Sequence, residues 1–229
     1  TPVGQLCVQD RPEVTCGEVT CTDSGVCTKP YDYTVSSTGQ VTDILFVVDN
    51  SGSMYDDQVE MASKFPSFLN SLSNLDYRIA ITTTDISSNT NPPDANNGNG
   101  AFQNGRLIPF NDNSTFLSGA LGAATEQSYF QDTITRQETL ACETSNYNPQ
   151  FCPSGEERGI LAAALTLENN PSNFIRPAGH MAIVFLSDED EGSDGNLIDS
   201  REVPNNFVNL FQSTYPNKSL KAHSIIVQP

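Results

Sequence analysis

Basic side chains are scarce in this chain. Its 229 residues hold 11 Lys plus Arg against 28 Asp plus Glu, for a net charge of −17. Phosphate contacts need a basic face, so the composition excludes a nucleic-acid partner. Anionic lipid would repel the chain as well. Long apolar runs are missing: no stretch approaches the roughly 18–20 apolar residues of a membrane span, and no transmembrane segment is expected. The opening Thr1-Pro2-Val3-Gly4 has neither the basic nor the apolar region of a secretion signal, which reads as a processed form or a fragment. Histidine is limited to His180 and His223, each expected at the surface or a strand edge. No Gly-x-Ser-x-Gly elbow, Walker loop or Gly-x-Gly-x-x-Gly fingerprint is present.

A hydrophobic share of 37% suits a water-soluble globular chain, and the length suits one large domain with a small appendage. Six cysteines, Cys7, Cys16, Cys21, Cys27, Cys142 and Cys152, form an even, clustered set. Neither histidine is near the cluster and no Cys-x-x-Cys pair exists, so disulfides outrank zinc and the compartment is oxidising. Two bridges are expected within Cys7–Cys27, in any of the three connectivities that four cysteines allow, and a third between Cys142 and Cys152. Residues 1–40 are polar, rich in Thr, Cys, Gly and Pro, and too short to fold without such staples. They read as a disulfide-rich N-terminal segment, with the main domain over 41–229.

In that domain Asp43-Ile44-Leu45-Phe46-Val47-Val48-Asp49 is a continuous apolar run between acids, the mark of a strand buried on both faces. Val59, Met61, Ala62, Phe65, Phe68, Leu69 and Leu72 follow at helical spacing, with a kink or restart expected at Pro66. Tyr77–Thr84 is a β-branched second strand. A long insertion covers about 86–153. Within it, Gly105–Phe110 reads as a short edge strand, 112–135 as weakly helical, and 137–153 as irregular. Ile160–Leu167 is a helix, Met181–Asp188 a buried strand, Phe207–Phe211 a helix and Ala222–Val227 a last strand. The predicted class is α/β: a Rossmann-like, doubly wound, mostly parallel sheet flanked by helices. Two of its strands end in Asp plus Ser, and ligands of such sheets sit outside the carboxyl ends of the strands.

Asp49-Asn50-Ser51-Gly52-Ser53 places an oxygen-bearing side chain at every second position. Hard cations take oxygen ligands, and Mg²⁺ or Mn²⁺ suits one carboxylate with hydroxyls better than Ca²⁺ does. Asp188 arrives on another strand as a second carboxylate. An ordinary strand-end acid and a Ser53 helix cap are the plain alternatives. Asp188 to Asp194 also alternates acids, but without EF-hand spacing.

The stretch Asp43–Met54 resembles the first strand and metal loop of von Willebrand factor A domains, over about residues 41–229. The family's metal-ion-dependent adhesion site uses Asp-x-Ser-x-Ser, a Thr from a later loop and an Asp after a later strand. The resemblance implies a von Willebrand factor A fold with Asp49, Ser51, Ser53 and Asp188 on the ion. Where the family places its Thr, this chain reads Cys152-Pro153-Ser154-Gly155-Glu156-Glu157-Arg158-Gly159. Either Ser154 supplies the hydroxyl or Glu157 approaches the ion. Thr83-Thr84-Asp85, Gly155–Gly159 and Phe174-Ile175-Arg176-Pro177 are similar to surface A domains of gliding and predatory bacteria, which act as lipoproteins or adhesins. The implied function is adhesion at a cell surface. The implied partner is an extracellular protein or surface glycan, held through an acidic group, and any lipid anchor lies outside this chain. A structural or assembly module with a merely stabilising ion is the alternative. A metal-dependent hydrolase is a minor one, because no dedicated base is evident.

Overall fold

The computed structural model describes residues 20–21, 27–28, 40–86, 103–144, 157–192 and 199–226. The chain divides into two compact units, Thr1–Ser37 and Thr38–Pro229. In the first, β1 (Thr20–Cys21) pairs antiparallel with β2 (Cys27–Thr28), and Cys21 stands opposite Cys27 in the register. Cys7, Cys16 and Cys152 lie outside the described residues, and Cys21, Cys27 and Cys142 are described in backbone only. The expected bridges therefore fall outside what is described.

The second unit holds β3 (Val41–Val48), α1 (Tyr55–Ser71), β4 (Asp76–Thr83), α2 (Ala123–Ile134), α3 (Gln137–Thr144), α4 (Gly159–Asn169), β5 (Gly179–Ser187), α5 (Pro204–Thr214) and β6 (Lys218–Ile226). The four long strands form a parallel sheet in the order β4-β3-β5-β6. This is the α/β, parallel, helix-flanked arrangement that the apolar runs predicted. Side chains of β3 alternate between two cores. Ile44, Phe46 and Val48 pack with Phe65 of α1 and Phe130 of α2, while Leu45 and Val47 pack with Leu161 and Leu167 of α4 and Phe211 of α5. A strand buried on both faces needs no polar alternation, which is why β3 reads as a solid apolar run. Gly179 opens β5 at φ 97°, and a Cβ there would stand 2.4 Å from Val41 O. Only glycine lets the two strands begin this close.

Four expectations need correction. The α1 stripe is Met54, Gln58, Ala62, Phe65, Leu69 and Leu72, with Val59 exposed; a buried glutamine takes the place expected of that valine. The helix does not restart at Pro66 but runs from Tyr55 to Ser71. Pro66 has no N–H to give to the Ala62 carbonyl four residues back. Gln131 Nε2 of α2 donates to that carbonyl instead, at 2.9 Å. Gly105–Phe110 forms no strand. Asn104 and Gly105 turn through the left-handed region and Pro109 lacks a donor, so the segment meets β4 only at separate points, with Ile108 N donating to Ile81 O. Further along, Leu117 and Ile79 exchange both backbone bonds. Of 112–135 only Ala123–Ile134 is helical, whereas 137–144, read as irregular, form α3.

A candidate cation site at the sheet edge

The chain leaves β3 towards β4 on one side and later fills β5 on the other, so the sheet order reverses between β3 and β5. At that point the C-terminal strand ends leave a crevice. Asp49 N donates to Leu186 O of β5, and Thr84 N donates to Val48 O, which ties the loop after β3 to both neighbours. The Asp49 carboxylate is fully buried. Its Oδ1 accepts from Ser51 N at 2.8 Å, and its Oδ2 accepts from Ser187 Oγ at 2.7 Å. The Ser51 hydroxyl adds a third bond, so of a carboxylate's about four acceptor positions roughly one stays free. The loop then winds into a 3-10 turn, Gly52–Met54, before α1. Ser51 Oγ and Ser53 Oγ stand 3.3 Å apart, and neither hydroxyl caps a helix. The plain alternative for these serines, capping, is therefore not their use.

Asp188 follows directly on β5. Its Oδ1 is buried and has no hydrogen-bond partner. Burial raises the Asp49 carboxyl above the usual range; its bonds from Ser51 and Ser187 pull the other way, and the Asp188 charge adds to the rise. Asp57, in the first turn of α1, is also raised, by desolvation and then by Asp188. No Lys or Arg pairs with Asp49 or Asp188 among the described residues. Two facing carboxylates without a counter-charge are unfavourable in a low-dielectric edge. A divalent cation is the chemistry this donor set fits: two carboxylates, two neutral hydroxyls and a buried oxygen in need of a partner. Among the described residues no group of three or more His, Cys, Asp or Glu is placed to hold a metal, so the set depends on its hydroxyls.

The structure thus brings Asp49, Ser51, Ser53 and Asp188 to one edge and adds Ser187, which the sequence reading did not single out. Ser154 lies outside the described residues. Glu157 is buried at the same edge: it bridges Asp85, and its carbonyl accepts from Gly192 N at 2.6 Å. It lines a cavity of about 320 Å³ with Ser187, Glu189 and Asp190. Glu191, past the end of β5, is engaged by the start of α4: Ile160 N and Leu161 N donate to its carboxylate. His180 and His223 are exposed on β5 and β6, as expected.

A buried polar network backs the loop, and the sequence reading missed it. Gln58 Nε2 donates to Asp49 O at 2.7 Å and to Thr139 Oγ1 of α3 at 3.1 Å, and Thr139 Oγ1 donates to Asn50 O at 2.9 Å. Gln58 Oε1 accepts from Arg136 N, while Arg136 Nε and Asn50 Nδ2 both donate to Glu138 Oε1. The available signal was Gln58 itself, a polar residue on the buried stripe of α1.

Among the described residues no helix is long and apolar enough to cross a membrane. No family model matches the chain, and no curated protein matches it. Among solved structures, the chain is similar to the pilus adhesin SpaC from Lactobacillus rhamnosus GG in its open conformation, at 16% identity and a TM-score of 0.33, covering 66% of this chain and 15% of that one. It is similar to the PilB minor pilin from Streptococcus sanguinis at 18% identity and a TM-score of 0.35, covering 72% of this chain and 33% of that one. The adhesive tip pilin GBS104 from Group B Streptococcus agalactiae is similar at 17% identity and a TM-score of 0.33, with 66% of this chain and 46% of that chain covered.

Proposed function

We propose that the Asp49 edge is a divalent-cation site of the von Willebrand factor A type, and that the chain is an extracellular, cell-surface adhesion domain gripping an acidic group of its partner. One observation carries the reading. Two carboxylates, Asp49 and Asp188, meet at a sheet edge with no basic partner among the described residues, and Asp188 Oδ1 is buried without a hydrogen bond. Asp49, Ser51, Ser53 and Asp188 hold the ion, and Ser187 and the Ser51 N–H fix the Asp49 carboxylate. Two carboxylates with hydroxyls suit Mg²⁺ or Mn²⁺ better than Ca²⁺, which takes six to eight oxygens. Neutral hydroxyl ligands leave residual positive charge, so a bound ion supplies Lewis-acid coordination for a carboxylate from outside. The partner is then an extracellular protein or a surface glycan bearing such a group.

Buried Glu157 at the same edge favours a second reading, in which a further carboxylate neutralises the ion and its role is structural. The thermal midpoint separates these outcomes. A cation at 100 times its dissociation constant adds about 2.7 kcal/mol if it binds only the folded chain. In a domain of this size that is roughly 5–10 °C. The rise should occur with Mg²⁺ or Mn²⁺, vanish in chelator and vanish in Asp49→Ala. No rise in the wild-type chain would sink the cation site. A rise that Glu157→Gln abolishes would favour the structural ion.

A further inference from the structure

A second polar cavity lies at the opposite, N-terminal end of the sheet. It is open, about 500 Å³, and walled by Arg78, Asn173, Arg176, Tyr215 and Asn217 among others. The electrostatics beneath it are unusual for so acidic a chain. Asp43, at the start of β3, is fully buried and accepts from Lys218 Nζ and Arg176 Nε, both at 2.7 Å. Arg176 also reaches Asp76 Oδ1, and its remaining nitrogen donates to Thr42 O and Asp76 O. Arg176 thereby uses four of its five N–H donors within this cluster. Arg78 is different. It ion-pairs with no carboxylate among the described residues, so three cations at this end face two carboxylates. The Lys218 ammonium is lowered chiefly by burial; its bond to Asp43 and the Asp43 charge pull it back up, and the charges of Arg176 and Arg78 add smaller lowering contributions.

Arg78 is also held in place. Its Nη1 donates to Asn173 O at 2.8 Å and Phe174 O at 3.1 Å, and the Phe116 ring lies 4.7 Å from its guanidinium carbon. The turn offering those carbonyls has Ser172 at φ 57° and Asn173 at φ 53°. Non-glycine residues held in that region are strained and persist where the surroundings impose them. A guanidinium carries five N–H donors. Nε and Nη2 of Arg78 make no bond to the protein among the described residues, which leaves a planar fork suited to an oxyanion. The side-chain amides of Asn173 and Asn217, on the same wall, are likewise without protein partners there. Each offers both a donor and an acceptor.

We infer that this cavity binds an oxyanion, whether carboxylate, sulfate or phosphate, carried on a polar ligand, with Arg78 contacting the anion and the Asn173 and Asn217 amides flanking it. The site is independent of the Asp49 edge and needs no cation. The test is amide and Arg78 Nε chemical shifts of the full chain, titrated with sodium sulfate, sodium phosphate, sodium glucuronate and glucose, in chelator and at constant ionic strength. Saturable shifts at Asn173, Phe174, Asn217 and Arg78 are expected with anions and not with glucose, and their rank identifies the anion class. Arg78→Leu should weaken binding about tenfold or more, as the loss of one charge-assisted contact does. Arg78→Lys, keeping the charge but not the fork, should fall between. Asn217→Asp sits on an exposed rim and leaves the Arg78 contacts intact, so it tests the site even where Arg78→Leu unfolds. It should weaken every anion several-fold. Linear shifts spread over the surface, equal response to glucose, or indifference to Asn217→Asp would each overturn the assignment.

Discussion

Gln58→Leu should be among the more damaging single changes near the Asp49 edge, although Gln58 is not one of the proposed ligands. Its side chain is fully buried and joins three elements. Nε2 serves Asp49 O and Thr139 Oγ1, and Oε1 receives Arg136 N. Leucine fits the volume and suits the apolar stripe of α1, so packing changes little. What changes is that the Asp49 carbonyl and the Arg136 N–H lose this partner while still buried. An unsatisfied buried group costs about 1–3 kcal/mol. Two of them give roughly 2–6 kcal/mol, less whatever burial of the leucine returns. Urea unfolding followed by far-UV circular dichroism would read this directly. The companion variant Gln58→Glu keeps an acceptor for Arg136 N but has no donor for Asp49 O, and should be no better tolerated. Thr139→Val, which removes the bonds to Asn50 O and Gln58, should lower stability by about 1–2 kcal/mol. A loss below about 0.5 kcal/mol in Gln58→Leu, with the cation titration unchanged, would refute the idea that this network holds the loop.

Gln131→Leu removes the side chain that takes over the Ala62 carbonyl from the missing Pro66 N–H. It should cost about 1–2 kcal/mol in urea unfolding, and much less in a Pro66→Ala background, where the helix satisfies its own carbonyl; equal losses in both backgrounds would contradict this account. Glu191 is pushed up to about 7, first by burial and also by the Glu202 charge, against the backbone bonds from α4. Between about pH 4.5 and 7 the folded chain therefore holds a proton that the unfolded chain has released. This contribution is fully present below the unfolded value and is lost as pH rises through 7, by at most about 1.4 kcal/mol per pH unit. Midpoints measured across that window in chelator should fall as pH rises and flatten in Glu191→Gln. A slope unchanged by the substitution would place its origin elsewhere.

The parts of this fold that show in the sequence are those whose cause is local. β3 and β5 declare themselves because both faces of a central parallel strand are buried, and no polar residue interrupts Ile44–Val48 or Met181–Leu186. The α1 and α4 stripes show for the same reason at helical period. The insertion does not, because its conformation is imposed from outside. Nothing in Gln137–Thr144 is strongly amphipathic; what α3 contributes is a hydroxyl, Thr139, that donates to Asn50 O and a carboxylate, Glu138, that accepts from Asn50 Nδ2, in a loop nearly ninety residues earlier. Gly105–Phe110 has the composition of an edge strand, yet its turn at Asn104 and Gly105 and the missing donor at Pro109 leave only isolated contacts with β4. A tertiary partner likewise decides the outcome at Pro66, where propensity alone predicts a break.

The same division runs through the candidate site. Asp49, Ser51 and Ser53 are close in sequence, so their spacing is visible in one line of text. Asp188 is visible because it ends an apolar strand, and strand ends of a parallel sheet share an edge. Ser187 is adjacent to it and was noted only as part of that strand end; its use depends on the Asp49–Leu186 backbone bond, which brings β5 alongside β3 so that the Ser187 hydroxyl reaches the Asp49 carboxylate. Gln58 and Thr139 act on backbone carbonyls, and a carbonyl has no sequence signature at all. A loop of this kind is therefore easier to recognise than to hold in shape: its candidate ligands are written in a motif, whereas its rigidity comes from residues chosen by distance. If the Gln58 and Thr139 variants lose cation response while Asp49 and Asp188 remain in place, the motif alone is insufficient, and chains that carry Asp-x-Ser-x-Ser without such backing should bind cations weakly.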